Sequence, residues 1–277
     1  MRRKVSFRHG SLSFVLLFLL GAFTRAQEGP ILFEDDFSDP NWEARWEIHD
    51  DGAEGNPSNW VIGPAGGLPE GAFGNTVNTL RGGGAGGNDE QPGSYALLRD
   101  PRSREWTDYR VSAEMYHMDN DYAGLFVRYV DELNYIRAWV KQEEADLGGA
   151  MAFSIDKQID GKWTMFFKTG GPGVGGDGIT GTPVPKEVKQ VPQRVWFTMT
   201  VEVLGDTVTL FIDGVKVASV SDSDFAPGGK LERGTIALYN STNPMAYDNV
   251  VVEGIGRLPV SSRGKLATYW GALRAGR

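Results

Sequence analysis

Short runs of β-branched and aromatic residues recur between residues 27 and 256, while helical signals are almost absent there. Clusters of Gly, Pro, Asn and Asp separate the runs, as turns separate the strands of an all-β protein. The predicted strands are 31–37, 44–49, 59–62, 77–81, 95–99, 108–117, 122–130, 134–142, 150–157, 162–168, 194–204, 206–212, 215–220, 233–239 and 246–253. So many short strands in one chain favour two stacked antiparallel sheets.

Two dipeptides and two glycine-rich stretches predict how the strands are connected. Asp160-Gly161 and Asp213-Gly214 lie between apolar runs, and Asp-Gly suits a tight hairpin because both central residues of a type I′ turn need positive φ. Residues 63–93 and 170–181 are rich in glycine, which offers little side chain to bury. We therefore expect these two stretches to be long surface loops.

The two ends of the chain differ from its middle. Residues 1–26 combine basic residues, an apolar run and a small-residue cleavage site, as in a signal peptide. We expect one domain over 27–256, secreted to the exterior or the cell surface, with the periplasm as an alternative. Residues 257–277 form a basic linker and a short amphipathic tail. This tail is either a helix docked on the body or a sorting or attachment segment.

Composition excludes several kinds of function. The chain has no cysteine, so it forms no disulfide and no thiolate metal site. Residues 27–256 hold all 36 acidic residues but only 18 of the 28 Lys and Arg residues. Such a body repels phosphate backbones and anionic lipid, which argues against nucleic-acid partners, and no later run is apolar enough for a membrane span. Its charge favours divalent cations, although an acidic surface also simply keeps a secreted protein soluble.

Catalytic signatures are weak in this sequence. Laminarinase-type glucanases, which are β-sandwich enzymes, carry two Glu and one Asp on alternate positions of one strand, so that the carboxyl groups share a face. No stretch of the chain has this pattern, and Glu114 stands alone on its strand. His49 and His117 are too few for a three-histidine zinc site. The sequence therefore leans towards recognition and away from enzymatic cleavage.

Two acidic clusters are candidate cation sites. Asp119 and Asp121 flank Asn120 at the end of a predicted strand, where carboxylate, amide and backbone oxygens suit calcium. The second candidate joins Asp36, in the first predicted strand, to Asp248 in the last, and the two would be neighbours if the terminal strands pair. Asp248 shares its parity with two valines and is expected to point inward. Alternatively, these residues only shape turns.

One predicted strand has a face suited to a ligand. Tyr135, Arg137 and Trp139 alternate with apolar residues, so one side of the strand is cationic and aromatic. The full candidate set also places Arg128 opposite Arg137 and Glu114 and Tyr116 on an adjoining strand. Aromatic rings stack on sugar rings, and charged groups hydrogen-bond sugar hydroxyls. The alternative is a ladder of salt bridges on a solvated sheet.

The run Asp-x-Asp-Tyr-Ala-Gly-Leu-x-x-x-Tyr from residue 119, followed by Asn134-Tyr135 and by Trp139-x-Lys141-Gln142, resembles the C-terminal lectin-like domain of thrombospondins and cartilage oligomeric matrix protein. That domain belongs to the concanavalin A-like lectin and glucanase superfamily. The resemblance implies a jelly-roll sandwich, bound calcium with Asp119 and Asp121 among its ligands, and an adhesive or matrix-binding role.

The sequence as a whole predicts an all-β jelly-roll sandwich that binds calcium and recognises carbohydrate or another extracellular partner without cleaving it. A glycoside hydrolase or lyase of the same fold is the first alternative. A structural surface protein attached through its tail is the second.

Overall fold

The computed structural model describes residues 29–51, 57–77, 93–119, 122–144, 150–168, 186–188, 193–241 and 244–256. The strands are β1 (Ile31–Asp35), β2 (Trp46–Asp51), β3 (Trp60–Ile62), β4 (Phe73–Asn75), β5 (Gly93–Leu98), β6 (Tyr109–His117), β7 (Tyr122–Asp131), β8 (Asn134–Glu144), β9 (Ala150–Ile159), β10 (Lys162–Lys168), β11 (Trp196–Leu204), β12 (Thr207–Ile212), β13 (Val215–Ser221), β14 (Thr235–Asn240) and β15 (Met245–Gly254). Short 3-10 helices span Trp42–Ala44, Ala65–Gly67 and Pro101–Glu105. None of the helices in these ranges is long and apolar enough to cross a membrane.

The strands form two antiparallel sheets. The front sheet has the order β10-β9-β8-β7-β14-β5-β2. The back sheet has the order β13-β12-β11-β6-β15-β4-β3, and β1 pairs with β15 beside this path. The predicted all-β, two-sheet antiparallel jelly roll is confirmed.

The main core lies between the two sheets and follows from strand alternation. Ile136, Ala138 and Val140 of β8 are buried on one side of the front sheet, in the same cluster as residues of the back sheet. The back sheet contributes every second residue of β6 and β11, which are Tyr109, Val111, Ala113, Met115, Phe197, Met199, Val201 and Val203. His117 continues this face and is 1% exposed, so it is a packed strand-end residue, as its parity predicts.

The two Asp-Gly hairpins are confirmed. Asp160 and Gly161 have φ values of 50° and 74°, and Asp213 and Gly214 have values of 47° and 76°. Both pairs therefore adopt the left-handed conformation that a type I′ turn requires. The flanking strands pair directly, with Ile159 opposite Lys162 in the first hairpin.

One strand lies elsewhere than the sequence predicts. The other fourteen predicted strands agree with the structure within two residues, but the strand expected at 77–81 lies instead at 73–75, inside a glycine-rich stretch read as a loop. Phe73 is fully buried there, and Gly74 approaches β15 so closely that a Cβ would lie 1.9 Å from the Met245 carbonyl oxygen. Glycine is therefore used here for close strand packing. Residues 78–92 and the predicted loop 170–181 lie outside the described residues.

Candidate functional site

The outer side of the front sheet, facing away from the main core, carries a second buried cluster. Tyr135, Arg137 and Trp139 of β8 point to this side, as their alternation predicts. The aromatic face, as we name it, comprises Tyr95, Phe126, Tyr129, Tyr135, Trp139 and Tyr239 together with Arg137 and Asp156. These residues come from strands β5, β7, β8, β9 and β14, so the face forms only when the sheet is assembled.

Stacked rings fill the middle of the aromatic face. The ring centroid of Phe126 lies 4.6 Å from that of Tyr135 and 5.1 Å from that of Tyr239, with interplanar angles of 21° in both pairs. The hydroxyl groups of Tyr95 and Tyr129 are 2.8 Å apart and hydrogen-bonded. Tyr135 donates a hydrogen bond of 3.0 Å to Oε1 of Gln158. The rings are therefore held in fixed orientations.

A buried ion pair lies beside these rings. Arg137 Nε donates to Asp156 Oδ1 at 3.0 Å, and Nη2 donates to Oδ2 at 3.0 Å. Trp139 Nε1 donates to the same Oδ2 at 2.8 Å, and Arg137 Nη1 donates to the Tyr239 hydroxyl at 3.1 Å. The side chains of Arg137 and Asp156 are 2% and 0% exposed. The solvated salt-bridge ladder considered for this strand is therefore wrong, because its charges are withdrawn from water.

The protonation of this pair follows from its surroundings. Burial opposes the charge on Arg137, but the adjacent Asp156 carboxylate and the Tyr239 hydroxyl outweigh that effect and raise its pKa. Three N–H donors engage the carboxylate of Asp156. Asp156 is thus committed to holding Arg137 and Trp139, which a general base is not.

Partly exposed groups border the aromatic face. Tyr122 packs edge-on against Trp139 with ring centroids 4.5 Å apart, and Lys141 Nζ lies 5.0 Å above the ring of Tyr122. On the opposite side of the face, Trp163 is half-buried in the same cluster. Its Nε1 is buried and lies close enough to the Asp156 carboxylate to oppose the rise that burial causes in the pKa of Asp156. The rim thus offers aromatic surface and a cation.

Several residues of this face were missed at the level of sequence. Asp156 and Gln158 lie on β9, and Tyr95 and Tyr239 lie on β5 and β14. Asp156 offered a signal, because it follows Ser154 on the polar side of β9, opposite in parity to the apolar Phe153 and Ile155. Tyr239 offered none, since its proximity to Arg137 depends on β14 lying next to β7.

Glu114 and Tyr116 lie away from the aromatic face. Both are on β6 in the back sheet, where the neighbouring strands are β11 and β15. Glu114 accepts a hydrogen bond of 2.9 Å from Asn249 Nδ2, and Tyr116 packs against Trp196 at 5.2 Å between ring centroids. The expectation that β6 adjoins the strands of this face is wrong, because the chain changes sheet between β6 and β7.

Arg128 is also misplaced in the predicted site. The residue opposite Arg137 is Phe126, because the β7–β8 register shifts after Val127. Arg128 itself has a φ of 47° and is 1% exposed. Its guanidinium donates to the backbone carbonyl oxygens of Thr107, Gly205, Phe225 and Leu231. It therefore ties loops together at one end of the sandwich and does not face the aromatic cluster.

The predicted calcium corner is only partly described. Asp119 is half-buried after the end of β6, and its backbone carbonyl lies 3.4 Å from His117 Nδ1. Asp121 lies outside the described residues. Within the described ranges, no group of three or more His, Cys, Asp or Glu side chains is placed to hold a metal ion.

The terminal strands bring the second acidic pair together. β1 pairs with β15 as expected, with Asp35 opposite Val250. Burial raises the pKa of Asp248, and the charges of Glu114, Asp36 and Asp35 raise it further. The expectation that Asp248 points inward is wrong, because a β-bulge shifts the register between Asp248 and Val251. Asp248 instead lies opposite Glu114, on the outer side of the back sheet.

A comparison with protein-family models places the chain in one family. The family model of the 3-keto-alpha-glucoside-1,2-lyase-like domain matches residues 46–253. No curated protein matched the sequence. The thrombospondin resemblance stays a prediction, since the matching family model is a different one.

Three solved structures illustrate the likeness of fold. Carbohydrate-binding module CBM66 from Bacillus subtilis is 14% identical, with a TM-score of 0.46 over 71% of this chain and 92% of that chain. A protein of unknown function with a galectin-like fold from Bacillus subtilis is 10% identical, with a TM-score of 0.49 over 84% and 99%. Domain 4 of the arabinanase AbnA from Geobacillus stearothermophilus is 14% identical, with a TM-score of 0.42 over 82% and 94%. These likenesses concern the fold alone.

Proposed function

Because the chain belongs to the 3-keto-alpha-glucoside-1,2-lyase-like domain family, we propose that it acts on carbohydrate and that the aromatic face is where the sugar is recognised. The observation that carries this proposal is a buried Arg137–Asp156 pair set among six aromatic rings on one side of a sheet. Aromatic rings contact the apolar faces of sugars, and a few fixed polar groups select their hydroxyls.

The geometry divides the work between the buried and the partly exposed residues. The buried ion pair fixes the indole of Trp139 through a hydrogen bond of 2.8 Å. Trp139 in turn packs edge-on against the ring of Tyr122, and Lys141 Nζ lies above that ring. A sugar that reaches the rim meets the half-buried rings of Tyr122 and Trp163. The Arg137–Asp156 pair is thus a positioning element for the groups at the rim.

Recognition without hydrolysis is the function that this arrangement supports best. Glycoside hydrolysis ordinarily needs two carboxyl groups on either side of the scissile bond. Within the described part of the aromatic cluster Asp156 is the one carboxylate, and it is engaged by Arg137 and Trp139. A face of this kind orients a sugar but lacks an acid and base pair.

Elimination is a second candidate, because the family name describes a lyase acting on 3-keto-alpha-glucosides. Elimination across C1 and C2 of such a sugar moves the C2 proton to a base, breaks the bond from C1 to its substituent and forms the C1–C2 double bond. The expelled substituent takes up a proton. This chemistry needs one base and a group that stabilises negative charge on the ketone oxygen. Arg137 is the buried cation of the face, but its guanidinium is 2% exposed and donates to Asp156 and to the Tyr239 hydroxyl, so a ketone oxygen would have to replace one of these partners.

Retention on immobilised glycans tests the proposed face. We expect Arg137→Gln and the milder Tyr239→Phe to weaken glycan binding by about tenfold or more, because both loosen the hydrogen bonds that position Trp139 and the groups at the rim. Glu114→Gln is the matched control, since Glu114 lies in the back sheet and is predicted to leave binding unchanged. Undiminished binding by folded Tyr239→Phe and Arg137→Gln proteins would show that the sugar is recognised elsewhere.

Product analysis separates recognition from elimination. The wild-type protein is incubated with ordinary glycosides and with 3-keto-alpha-glucosides, and released aglycone and unsaturated ketone are followed by absorbance. Recognition alone predicts binding without either product. Turnover of the keto sugar alone, lost in Arg137→Gln, would establish the lyase, whereas hydrolysis of ordinary glycosides would contradict both candidates.

Calcium at Asp119 and Asp121 stays a prediction with its own test. If it is right, chelation lowers the melting temperature of wild type and has no effect on the Asp119→Ala plus Asp121→Ala double variant. An unchanged wild-type midpoint, or a double variant that responds like wild type, would exclude calcium at this corner. Secretion and attachment through residues 257–277 stay predictions as well, since both terminal segments lie outside the described residues.

A further inference from the structure

One end of the sandwich holds buried polar atoms that the proposed function does not use. Asp50 Oδ1, Ser58 Oγ and Asn240 Nδ2 are each buried without a hydrogen-bond partner among the described residues. Buried polar groups almost always have partners, so three such atoms in one region require an explanation.

Strand register brings these residues together. Ser94 of β5 lies opposite Asp50 on one side and opposite Asn240 on the other. Side chains of directly opposed residues project to the same side of a sheet, so all three share one face. Trp60 of the back sheet donates from Nε1 to Ser94 Oγ at 2.8 Å, which shows that this face looks into the space between the sheets. Ser58 joins the group through its backbone N–H, which donates to Asp50 Oδ2 at 3.1 Å.

The charge of this group is not compensated. One oxygen of Asp50 has a single backbone donor and the other has none, and no cationic side chain of the described residues pairs with it. A half-buried carboxylate without a counter-charge is costly, and a cation removes that cost. The backbones of Asp50 and Asn240 are separated by two strand spacings, about 10 Å. Their side chains project to the same side of the sheet as that of Ser94, which lies between them.

We propose that this end of the sandwich binds a hard cation through oxygen atoms of Asp50, Ser58, Ser94 and Asn240. Carboxylate, hydroxyl and amide oxygens are the ligands that such ions take. Asn240 presents its oxygen after a half-turn of the amide, a change that leaves its shape unaltered. Asn240 is 1% exposed, so the ion is largely enclosed. This site is separate from the aromatic face, and the inference does not rest on the proposed function.

The ligand count predicts a weak site that joins separate segments. A single carboxylate supplies little charge, which places the affinity for calcium in the range of about 0.1–1 mM, as in extracellular modules. The four ligands come from β2, the connection to β3, β5 and β14. Binding therefore ties the edge of the front sheet to the segment that leads into the back sheet, and we expect it to stabilise the whole fold.

Thermal unfolding of the full chain tests the site. The protein is freed of metal and kept in tetramethylammonium chloride, and then calcium, magnesium, sodium or potassium is added at constant ionic strength. At about ten times the dissociation constant, the bound ion should raise the melting temperature by about 3–5 °C. A wild-type midpoint unchanged by all four cations would overturn the proposal, because a buried water molecule would then explain the unpaired atoms.

Asp50→Asn is the decisive variant, because it removes the charge and keeps the shape. It should melt at or above the metal-free wild type and no longer respond to the cation. Glu70→Gln, which removes an exposed carboxylate, should respond like wild type. An Asp50→Asn protein whose melting temperature still rises with the cation would contradict the proposed site. Ser58→Ala keeps the proposal testable if Asp50→Asn does not fold, since it should raise the cation concentration for half effect by about tenfold.

Terbium luminescence gives a second readout and distinguishes this site from the predicted calcium corner. Trp60 is hydrogen-bonded to Ser94 and lies close enough to sensitise a bound lanthanide. We expect sensitised emission from wild type and from the Asp119→Ala plus Asp121→Ala variant, but not from Asp50→Asn. The opposite pattern would assign the ion to the acidic corner and overturn the proposal.

Discussion

Arg137 and Arg128 are both almost fully buried, but they are stabilised in different ways. Arg137 pairs with a carboxylate, whereas Arg128 donates mainly to backbone carbonyl oxygens, including that of Phe225 at 2.6 Å. Burial lowers the pKa of Arg128, and the nearby Tyr109 and Asp108 offset this only in part. An arginine nevertheless stays charged in a protein. The carbonyl groups around Arg128 therefore depend on it as their donor.

Arg128→Met should destabilise the protein without affecting recognition. The substitution leaves several buried carbonyl groups unpaired, and we expect a loss of about 3–5 kcal/mol in the free energy of unfolding. Urea denaturation measures this loss. Arg128→Lys should restore little, because an ammonium group cannot reach all the carbonyls that the planar guanidinium spans. Weakened glycan binding by the folded fraction would instead make Arg128 the ligand residue that the sequence suggested.

His117 predicts a specific pH dependence of stability. Burial lowers its pKa from 6.5 to about 4, and a weak contact with the Asp119 carbonyl offsets this slightly. The unfolded chain therefore binds a proton more readily than the folded one. The contribution of neutral His117 to the stability of the fold is fully present above pH 6.5 and is lost as the pH falls towards 4. The free energy of unfolding decreases by about 3 kcal/mol in total.

Urea denaturation between pH 7 and pH 4 measures this effect. His117→Phe should show a decline smaller than that of wild type by about the same amount. His49→Gln, a change at the partly exposed histidine, should keep the wild-type decline. Equal pH profiles for wild type and His117→Phe would show that the proton is not taken up at His117.

At the scale of strands, β-bulges decide which side chains reach a site. The sequence predicted β15 and treated its pairing with β1 as a condition, which the structure fulfils, but simple parity placed Asp248 inward. The bulge centres on Asn249, whose φ of 47° lets an extra residue enter the strand. Val250 and Val252, which follow the bulge, are buried in the core as their parity predicts. Asp248, which precedes the bulge, lies on the outer side of the sheet opposite Glu114. Register shifts of this kind leave little trace in sequence, since Asn is common in turns as well as strands.

The bulge can be tested with two substitutions that remove the same amide. Asn249→Gly and Asn249→Ala both lose the exposed hydrogen bond to Glu114, but only glycine adopts positive φ without a steric penalty. We expect the free energy of unfolding of the alanine variant to be about 1–2 kcal/mol lower than that of the glycine variant. Chemical denaturation of the pair measures the difference. Equal stabilities would mean that the strand has no left-handed residue at this position.

At the scale of the whole molecule, alternation predicted the architecture and could not predict the assembly of the site. The pattern of β8 correctly separated Ile136 and Ala138 from Tyr135, Arg137 and Trp139, because side-chain direction along a strand is local. Which strands lie beside β8 is not local. Asp156 reaches Arg137 because β9 follows as its hairpin partner, whereas Tyr239 arrives from a strand about a hundred residues away. Glu114 and Tyr116 do not belong to the aromatic face, because the chain changes sheet between β6 and β7, which is likewise not a local property of the sequence.

At this scale the acidic charge of the molecule is consistent with cation binding, but it does not identify where a cation binds. Near β1 and β15, a groove of about 440 Å³ is lined by Glu34, Asp36 and Asn249 and also by the cationic Arg45. Acidic residues alone do not make a site, and Asp36 mainly holds a turn through the Ser38 N–H at 3.0 Å. The unpaired atoms around Asp50 are a stronger indication of a bound ion, because they are buried and Asp50 lacks a counter-charge.

The central claim is that sugar is recognised at the aromatic face of the front sheet. The most direct measurement is a titration with a binding oligosaccharide or a 3-keto-alpha-glucoside, followed through the indole N–H resonances of the tryptophans. Trp139 and Trp163 belong to the aromatic face, whereas Trp60 and Trp196 lie in the core and on the back sheet. We predict shifts confined to Trp139 and Trp163. Shifts at Trp196 with none at Trp139 and Trp163 would contradict the account.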